Sequence, residues 1–442
     1  MCTFLFCKKS DGKWHGMNLR KSYRYSLIVI LVVNIIAIFA MLYYKWDREI
    51  PDNLRLVVNQ KGTFNFDVPA KASIESEDIE VLQNGEKKLN KDIVHVNMQE
   101  PFEISSSKTG TYHADLKLFG ILKLKEISIQ VMEEMEVIPS GLAVGIEVKT
   151  NGVLILGTGA VSASNGENYE PALNIVKSGD YILAVNEKEI TSKQEVVDCV
   201  QQSNGEKIKL TILRNNEKVQ VAVTPISSGD GIYKLGIWVR DNTQGIGTLT
   251  YIDDNGEFRA LGHGITDVDT GTLMDIKSGN VYYAGIIDVV KGENGVPGEI
   301  VGYINKAKEN KIGIISKNTV QGISGIIEKE KMSKNVEQKL PIGFAREIKE
   351  GKAYIKCQIG NEVGTYEIEI EKIRMNAKNT NKSLVIKITD EELLSQTNGI
   401  IQGMSGSPII QNGKLVGAVT HVFVRDPAHG YGTLIENMIQ LE

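Results

Sequence analysis

GMSGSPIIQNGKLVGAVTHVFV, residues 403–424, is the most informative stretch of this chain. Two apolar runs, 408–411 and 414–424, flank Asn412-Gly413, the dipeptide that most strongly signals a two-residue β-hairpin turn. The pattern predicts that Ser405 stands on a tight, glycine-framed turn leading into a strand, a hairpin and a second strand. A nucleophile elbow needs G-x-S-x-G ahead of a helix, whereas here position 407 is Ser and a strand follows. The hexapeptide 403–408 by itself leaves two readings open. Gly, Ser and Pro are the commonest turn formers, so it can be a plain bend. Alternatively Ser405 is a nucleophile, with the backbone N–H groups of Gly403 and Ser405 forming an oxyanion hole that a Cβ at the wrong position would block.

A serine nucleophile needs a base, and the chain has six histidines. His15 precedes a long apolar run, and His95 and His113 lie in a β-rich region with no chemical pattern. His263, in ALGHGITD (260–267), sits between two glycines that leave it open to the surface, and it is the first candidate. His421 in VGAVTHVFV alternates like a packed strand residue, and His429 in DPAHGYG is a loop residue near the same face. A carboxylate should fix the imidazole tautomer. Asp267 and Asp269 follow His263 closely, but the turn after it directs them into the next segment. Asp390, at the end of SLVIKITD, can face the site; it also reads as the N-cap of a helix with Glu391 and Glu392 in its first turn.

Outward from these residues, 231–442 is a series of short β runs bounded by Gly, Asn or charged turns, which predicts a barrel or sandwich. Ahead of it, SGLAVGIEV (140–148), VLILGTGAV (153–161) and PALNIVKSGDYILAVNEKEI (171–190) precede an amphipathic helix and a strand pair. Residues 46–134 form a small β-rich region. The run 27–44 is apolar except for Asn34 and is long enough, at roughly 1.5 Å per residue, to cross a bilayer core. Lys8, Lys9, Lys13, Arg20, Lys21 and Arg24 precede it against one acid, Asp11, so the positive-inside rule keeps the N-terminus cytoplasmic and exports the rest. The run exceeds a usual signal core and no small-x-small cleavage site follows, which favours an uncleaved anchor over a removed signal peptide. The divisions expected are 1–25 basic segment, 26–45 anchor, 46–134 small β domain, 135–228 second domain and 229–442 third. A formal net charge of -5 gives no attraction to nucleic acid. Cys2 and Cys7 precede the anchor, Cys199 and Cys357 are far apart in sequence, and no Cys/His spacing suits zinc, so neither metal nor cofactor is expected.

Residues 135–228 resemble a PDZ domain of the kind attached to exported proteases, on the strength of KSGDYILAVNEKEI and the helix that follows. That resemblance implies a carboxylate-holding loop at 140–145 and an added peptide strand along Gly145, Ile146 and Val148. The nucleophile block looks like that of chymotrypsin-like proteases, which implies a mainly β chain ending in a double β-barrel. Taken together, the anchor, the PDZ-like region, ALGHGITD, VIKITDEEL and GIIQGMSGSPIIQNGKLVGAVTHVFVRDPAHGYG resemble the stage IV sporulation protein B peptidase family. The resemblance implies a serine endopeptidase with Ser405 as nucleophile, His263 as base and Asp390 as third member. It further implies a signalling role. The enzyme it implies is exported from the forespore into the intermembrane space, cuts itself with release after cleavage, and then cuts a membrane-bound inhibitor of an intramembrane protease, triggering pro-sigma-K processing. The alternative reading is a non-catalytic membrane-anchored PDZ adaptor.

Overall fold

The computed structural model describes residues 18–76, 78–88, 93–228, 230–328, 331, 338–375 and 379–439. Most of the basic segment expected ahead of the anchor, Cys2 and Cys7 included, lies outside the described residues. Two compact units divide at residue 132.

In the first unit, helix α1 (Asn18–Glu49) contains a stretch, Tyr23–Glu49, long and apolar enough to cross a membrane, which fits single-pass anchoring. The helix outruns the apolar segment at both ends because its polar flanks carry no helix breaker. The remainder is a five-stranded and a four-stranded sheet whose alternating inward residues, among them Leu56, Ile74, Val81, Ile104, Leu116 and Ile129, share one core. The small β domain is therefore a packed body.

The second unit holds three cores. Strand β1 (Ala143–Thr158) serves two of them. A register break between Lys149 and Leu154 divides it. Val144, Ile146 and Val148 face a core with Leu249, Phe258, Val281 and Ile315, while Val153 and Ile155 face another with Ile182, Val196 and Leu210. The second of these cores belongs to a sheet of β1 with β2 (Tyr181–Val185), β3 (Ile208–Arg214) and β4 (Glu217–Val223), covered by helix α2 (Lys193–Gln202). Helix α2 starts on a full capping box in which Ser192 and Glu195 satisfy each other's backbone N–H. The chain then returns as β5 (Ile237–Ile252), whose first residues rejoin β1, with Thr158 opposite Ile237 and Leu154 opposite Arg240.

Beyond that point β5 pairs with the first half of β1 and closes a six-stranded antiparallel barrel, in the order β1, β7 (Ile276–Val290), β8 (Lys311–Thr319), β9 (Gly322–Ile327), β6 (Glu257–Ala260), β5. A second closed barrel follows: β10 (Gly351–Gln358), β11 (Val363–Ile373), β12 (Leu384–Ile388), β15 (Asp426–Leu434), β14 (Lys414–Phe423), β13 (Pro408–Gln411). The predicted hairpin is there, with Asn412 and Gly413 at positive φ between β13 and β14.

The cores do not divide near residue 228, the boundary the sequence suggested. The PDZ-like fold is an insertion in the first barrel, entering from β1 and leaving through β5.

Candidate active site

Ser405 lies between barrels. Three hydrogen bonds from β5 of the first barrel hold its loop: the Thr248 N–H donates to the Ser405 carbonyl (2.9 Å), the Thr248 hydroxyl to the Gly403 carbonyl (2.7 Å) and the Thr250 hydroxyl to the Gly406 carbonyl (2.7 Å). From the second barrel, Gly406 N–H donates to the Val419 carbonyl (2.8 Å). Gly403 and Gly406 both have positive φ, +102° and +99°. A Cβ on Gly406 would lie 2.1 Å from the Thr248 carbonyl oxygen, so only glycine lets the turn approach β5 this closely. Among the described residues, the N–H groups of Gly403 and Ser405 find no acceptor, while those of Met404, Gly406 and Ser407 do. That leaves the pair expected from the sequence unsatisfied and available to an anion.

His263 follows two consecutive left-handed residues, Leu261 (φ +71°) and Gly262 (φ +68°), at the exit of β6. A left-handed leucine costs on the order of 1–3 kcal/mol and signals that the surrounding packing dictates this turn. Leu261 N–H is held by the Thr248 carbonyl (3.2 Å), and a Cβ on Gly262 would meet the Thr420 methyl at 3.0 Å. The His263 loop and the Ser405 loop therefore rest on the same two residues, Thr248 and Thr420. The Ser405 hydroxyl donates to the Thr420 carbonyl (2.6 Å), and the ring of the next residue, His421, is 5.0 Å from that of His263, centroid to centroid. His263 Nδ1 is 3.0 Å from the Gly264 carbonyl oxygen, a contact that suits an Nδ1–H tautomer with the Nε2 lone pair free. Burial holds its pKa below that of ordinary imidazole, and the Gly264 hydrogen bond only partly opposes this. Desolvation by its surroundings, the adjoining His263 and Lys382 together push His421, whose side chain still reaches solvent, down to about 4.

The structure does not bring the other expected residues to this point. Asp390 N-caps helix α3 (Glu391–Thr397): its carboxylate accepts the Leu393 N–H (3.0 Å) and the Glu367 N–H (3.3 Å). It follows the far end of β12 from Ser383 and Asn381, and it is the Asn381 carbonyl that accepts the Thr420 hydroxyl (2.6 Å). The Leu393 bond is the cap expected of it and the Glu367 bond ties it to β11, so both of its carboxylate bonds are structural. Asp267 and Asp269 both pair with Arg240, and His429 lies between Glu371 and Asp426. Among the described residues no carboxylate contacts the His263 ring; the partner that fixes it is a backbone carbonyl, which no side-chain motif could reveal. His421, read from its alternation as a packed strand residue, is exposed beside His263.

Gly145, Ile146 and Val148 also need correction. Both backbone edges of β1 are occupied there, Ile146 by Gly245 on one side and by Val281 on the other, so no peptide strand can add. The groove of the PDZ-like fold lies elsewhere, between α2 and residues 237–239 of β5. It is a cavity of about 520 Å³ walled by Val196, Val197, Val200, Ile237, Trp238 and Val239. Among the described residues no strand pairs with β5 at 237–240 on the side away from β1. The turn before it is fixed by Gln201, whose side chain bonds both the carbonyl (2.7 Å) and the N–H (3.1 Å) of Tyr233, and by Gly236 at φ +63°. The sequence missed this groove because YKLGIW lies after the PDZ-like pattern has ended.

A profile described as SpoIVB peptidase S55 matches residues 231–439, and a PDZ domain profile matches 176–214. Among solved structures, the chain is similar to the PDZ domains of the SdrC-like proteins of Listeria monocytogenes (20% identity, 20% of this chain and 87% of that one, TM-score 0.16) and Listeria innocua (21%, 19% and 93%, 0.16). It is also similar to the Rv3671c protease in its inactive form (13%, 44% and 81%, 0.26). With two six-stranded barrels, a PDZ domain inserted in the first of them and a match over 231–439 that spans both Ser405 and His263, this peptidase unit is identified with the SpoIVB peptidase family and the chain is a serine peptidase.

Proposed function

We propose that Ser405 and His263 are the nucleophile and general base of an endopeptidase, acting without a carboxylate partner. The observation that carries this reading is the convergence on residues 420 and 421: the serine hydroxyl is bonded to the carbonyl of one, and the imidazole lies against the ring of the other. As substrate enters, the hydroxyl leaves the Thr420 carbonyl and gives its proton to His263 Nε2 while Ser405 Oγ attacks the peptide carbonyl. The oxyanion takes the Gly403 and Ser405 N–H groups. His263 then protonates the departing amine, the C–N bond breaks, and water releases the acyl group by the same route. The Gly264 carbonyl holds the tautomer and stabilises the imidazolium.

The substrate is a protein, and the family supports a role in sporulation signalling. In that role the chain cleaves itself and a membrane-bound inhibitor of an intramembrane protease on the forespore side of the intermembrane space, with release after self-cleavage. The PDZ groove takes an extended peptide tail as an added strand on 237–239, its carboxylate on the 233–236 turn and an apolar side chain among Val196, Val197 and Val200. The deciding experiment is mass spectrometry of the full chain in detergent after a fluorophosphonate, a reagent for activated serines. Label on Ser405 that is lost in His263→Ala, and self-cleavage that is lost in Ser405→Ala, are the expected results. Labelling elsewhere, or undiminished self-cleavage in Ser405→Ala, rules the assignment out.

A further inference from the structure

The loop after His263 is a closed structure with two anchors. Thr266 bridges to Leu273 at its stem, where Asn318 bonds the Ile265 N–H (2.8 Å) and the carbonyls of Ile265 and Met274 (both 2.9 Å). Its head, 267–272, folds around the Asp267 carboxylate, which accepts the N–H groups of Asp269 (3.1 Å) and Thr270 (2.9 Å). The Asp267 side chain is 0% exposed. Arg240 reaches in from β5, with one guanidinium nitrogen on Asp267 and the other on Asp269 Oδ2 at 2.7 Å. Burial alone would raise the Asp267 carboxyl, but the Thr270 N–H and the Arg240 guanidinium outweigh it and keep it ionised. On the same strand, Trp238 and Val239 wall the PDZ groove and Asp241 accepts the N–H of Lys193 at the start of α2 (2.8 Å).

The geometry points to Arg240 as a positioning residue for the base: its forked grip on Asp267 and Asp269 sets the loop that aims His263, and it does so from the strand that walls the PDZ groove. A buried carboxylate stripped of its cation must take up a proton or recruit water, and either change loosens the hold on the loop head that the guanidinium fork imposes. A base displaced by about 1 Å loses on the order of 100-fold in rate. The inference rests on the reading of His263 as base.

The test is saturation kinetics of fluorophosphonate labelling, run on the full chain in detergent with melting temperature measured in parallel. Arg240→Met should lower the limiting inactivation rate about 100-fold with the reagent's half-saturation concentration unchanged, because the loop aims the base and does not bind the reagent. Arg240→Lys, which keeps one ion pair and loses the fork, should recover part of the rate even if its melting temperature matches that of Arg240→Met. A wild-type rate in folded Arg240→Met overturns the inference. If Arg240→Met fails to fold, Asp269→Asn removes only the solvent-facing arm: a several-fold slower rate supports the proposal and an unchanged one overturns it. Failure of the underlying reading looks different, since His263→Ala then labels as fast as the wild type or the wild type does not label, and both claims fall.

Discussion

Ser405 and His263 come together through the backbone positions around them. Leu261, Gly262, Gly403 and Gly406 all have positive φ, and their turns interlock with Thr248 and Thr420. The two glycines of the nucleophile loop should respond differently to the same change. At Gly406 an added Cβ meets the rigid Thr248 carbonyl at 2.1 Å, whereas at Gly403 it meets the movable Ile300 side chain at 2.9 Å. Gly406→Ala should therefore cost more than the roughly 1–3 kcal/mol of left-handed strain and lower the melting temperature well below that of Gly403→Ala, which pays that strain alone. Equal melting temperatures would refute the interlock. Acid should also have a defined effect. Because burial disfavours the His263 imidazolium, the ring stays neutral as pH falls below roughly 6.5, so with His263 as the proposed base the acid limb of kcat/KM is expected below the ordinary imidazole range. His421 falls to about 4 in the folded protein, so the unfolded chain binds more protons between roughly 6.5 and 4 and stability declines as pH falls through that window. Thermal melts across it should show a shallower decline for His421→Gln.

Helix α3 tests the assignment of Asp390. Asp390 starts helix α3 as its N-cap through the Leu393 N–H, and the Glu367 N–H on the same carboxylate ties it to β11. Asp390→Ala should cost about 0.5–2 kcal/mol, while Asp390→Asn, an equally good cap, should keep most of the stability and label at Ser405 within a few-fold of wild type. A loss near 10⁴-fold for Asp390→Asn is what a triad aspartate would show and would restore that role. At this scale the sequence was legible where a local rule governs: Asn412-Gly413 gave the hairpin, and the glycines around Ser405 the turn. It was illegible where the partner is main chain, as with the Gly264 carbonyl on His263, or where an edge is covered by a strand more than a hundred residues away, as Val281 covers Ile146.

Across the whole molecule, strand pattern indicated a barrel or sandwich and resemblance supplied a PDZ-like body and a double barrel, but neither told that one interrupts the other, since only the pairing of β1 with β5 reveals it. That nesting predicts opposite outcomes for two deletions. Removing 135–228 takes away all of β1, including Val144, Ile146 and Val148, and should abolish the melting transition of the peptidase barrels and the labelling of Ser405. Joining Thr158 to Ile237 through Asn-Gly turns an existing strand pair into a hairpin, and should leave a folded barrel that still labels. The same nesting orders events on the ribosome. The inserted body has all its core residues once the chain reaches Val239, whereas Val148 waits for Ile315 and Ile323 before its barrel can close. Contacts near in sequence form fastest, so a nascent chain assembles its PDZ body first and its cutting site last, and the emerging polypeptide is harmless to its neighbours until nearly all of it has been made.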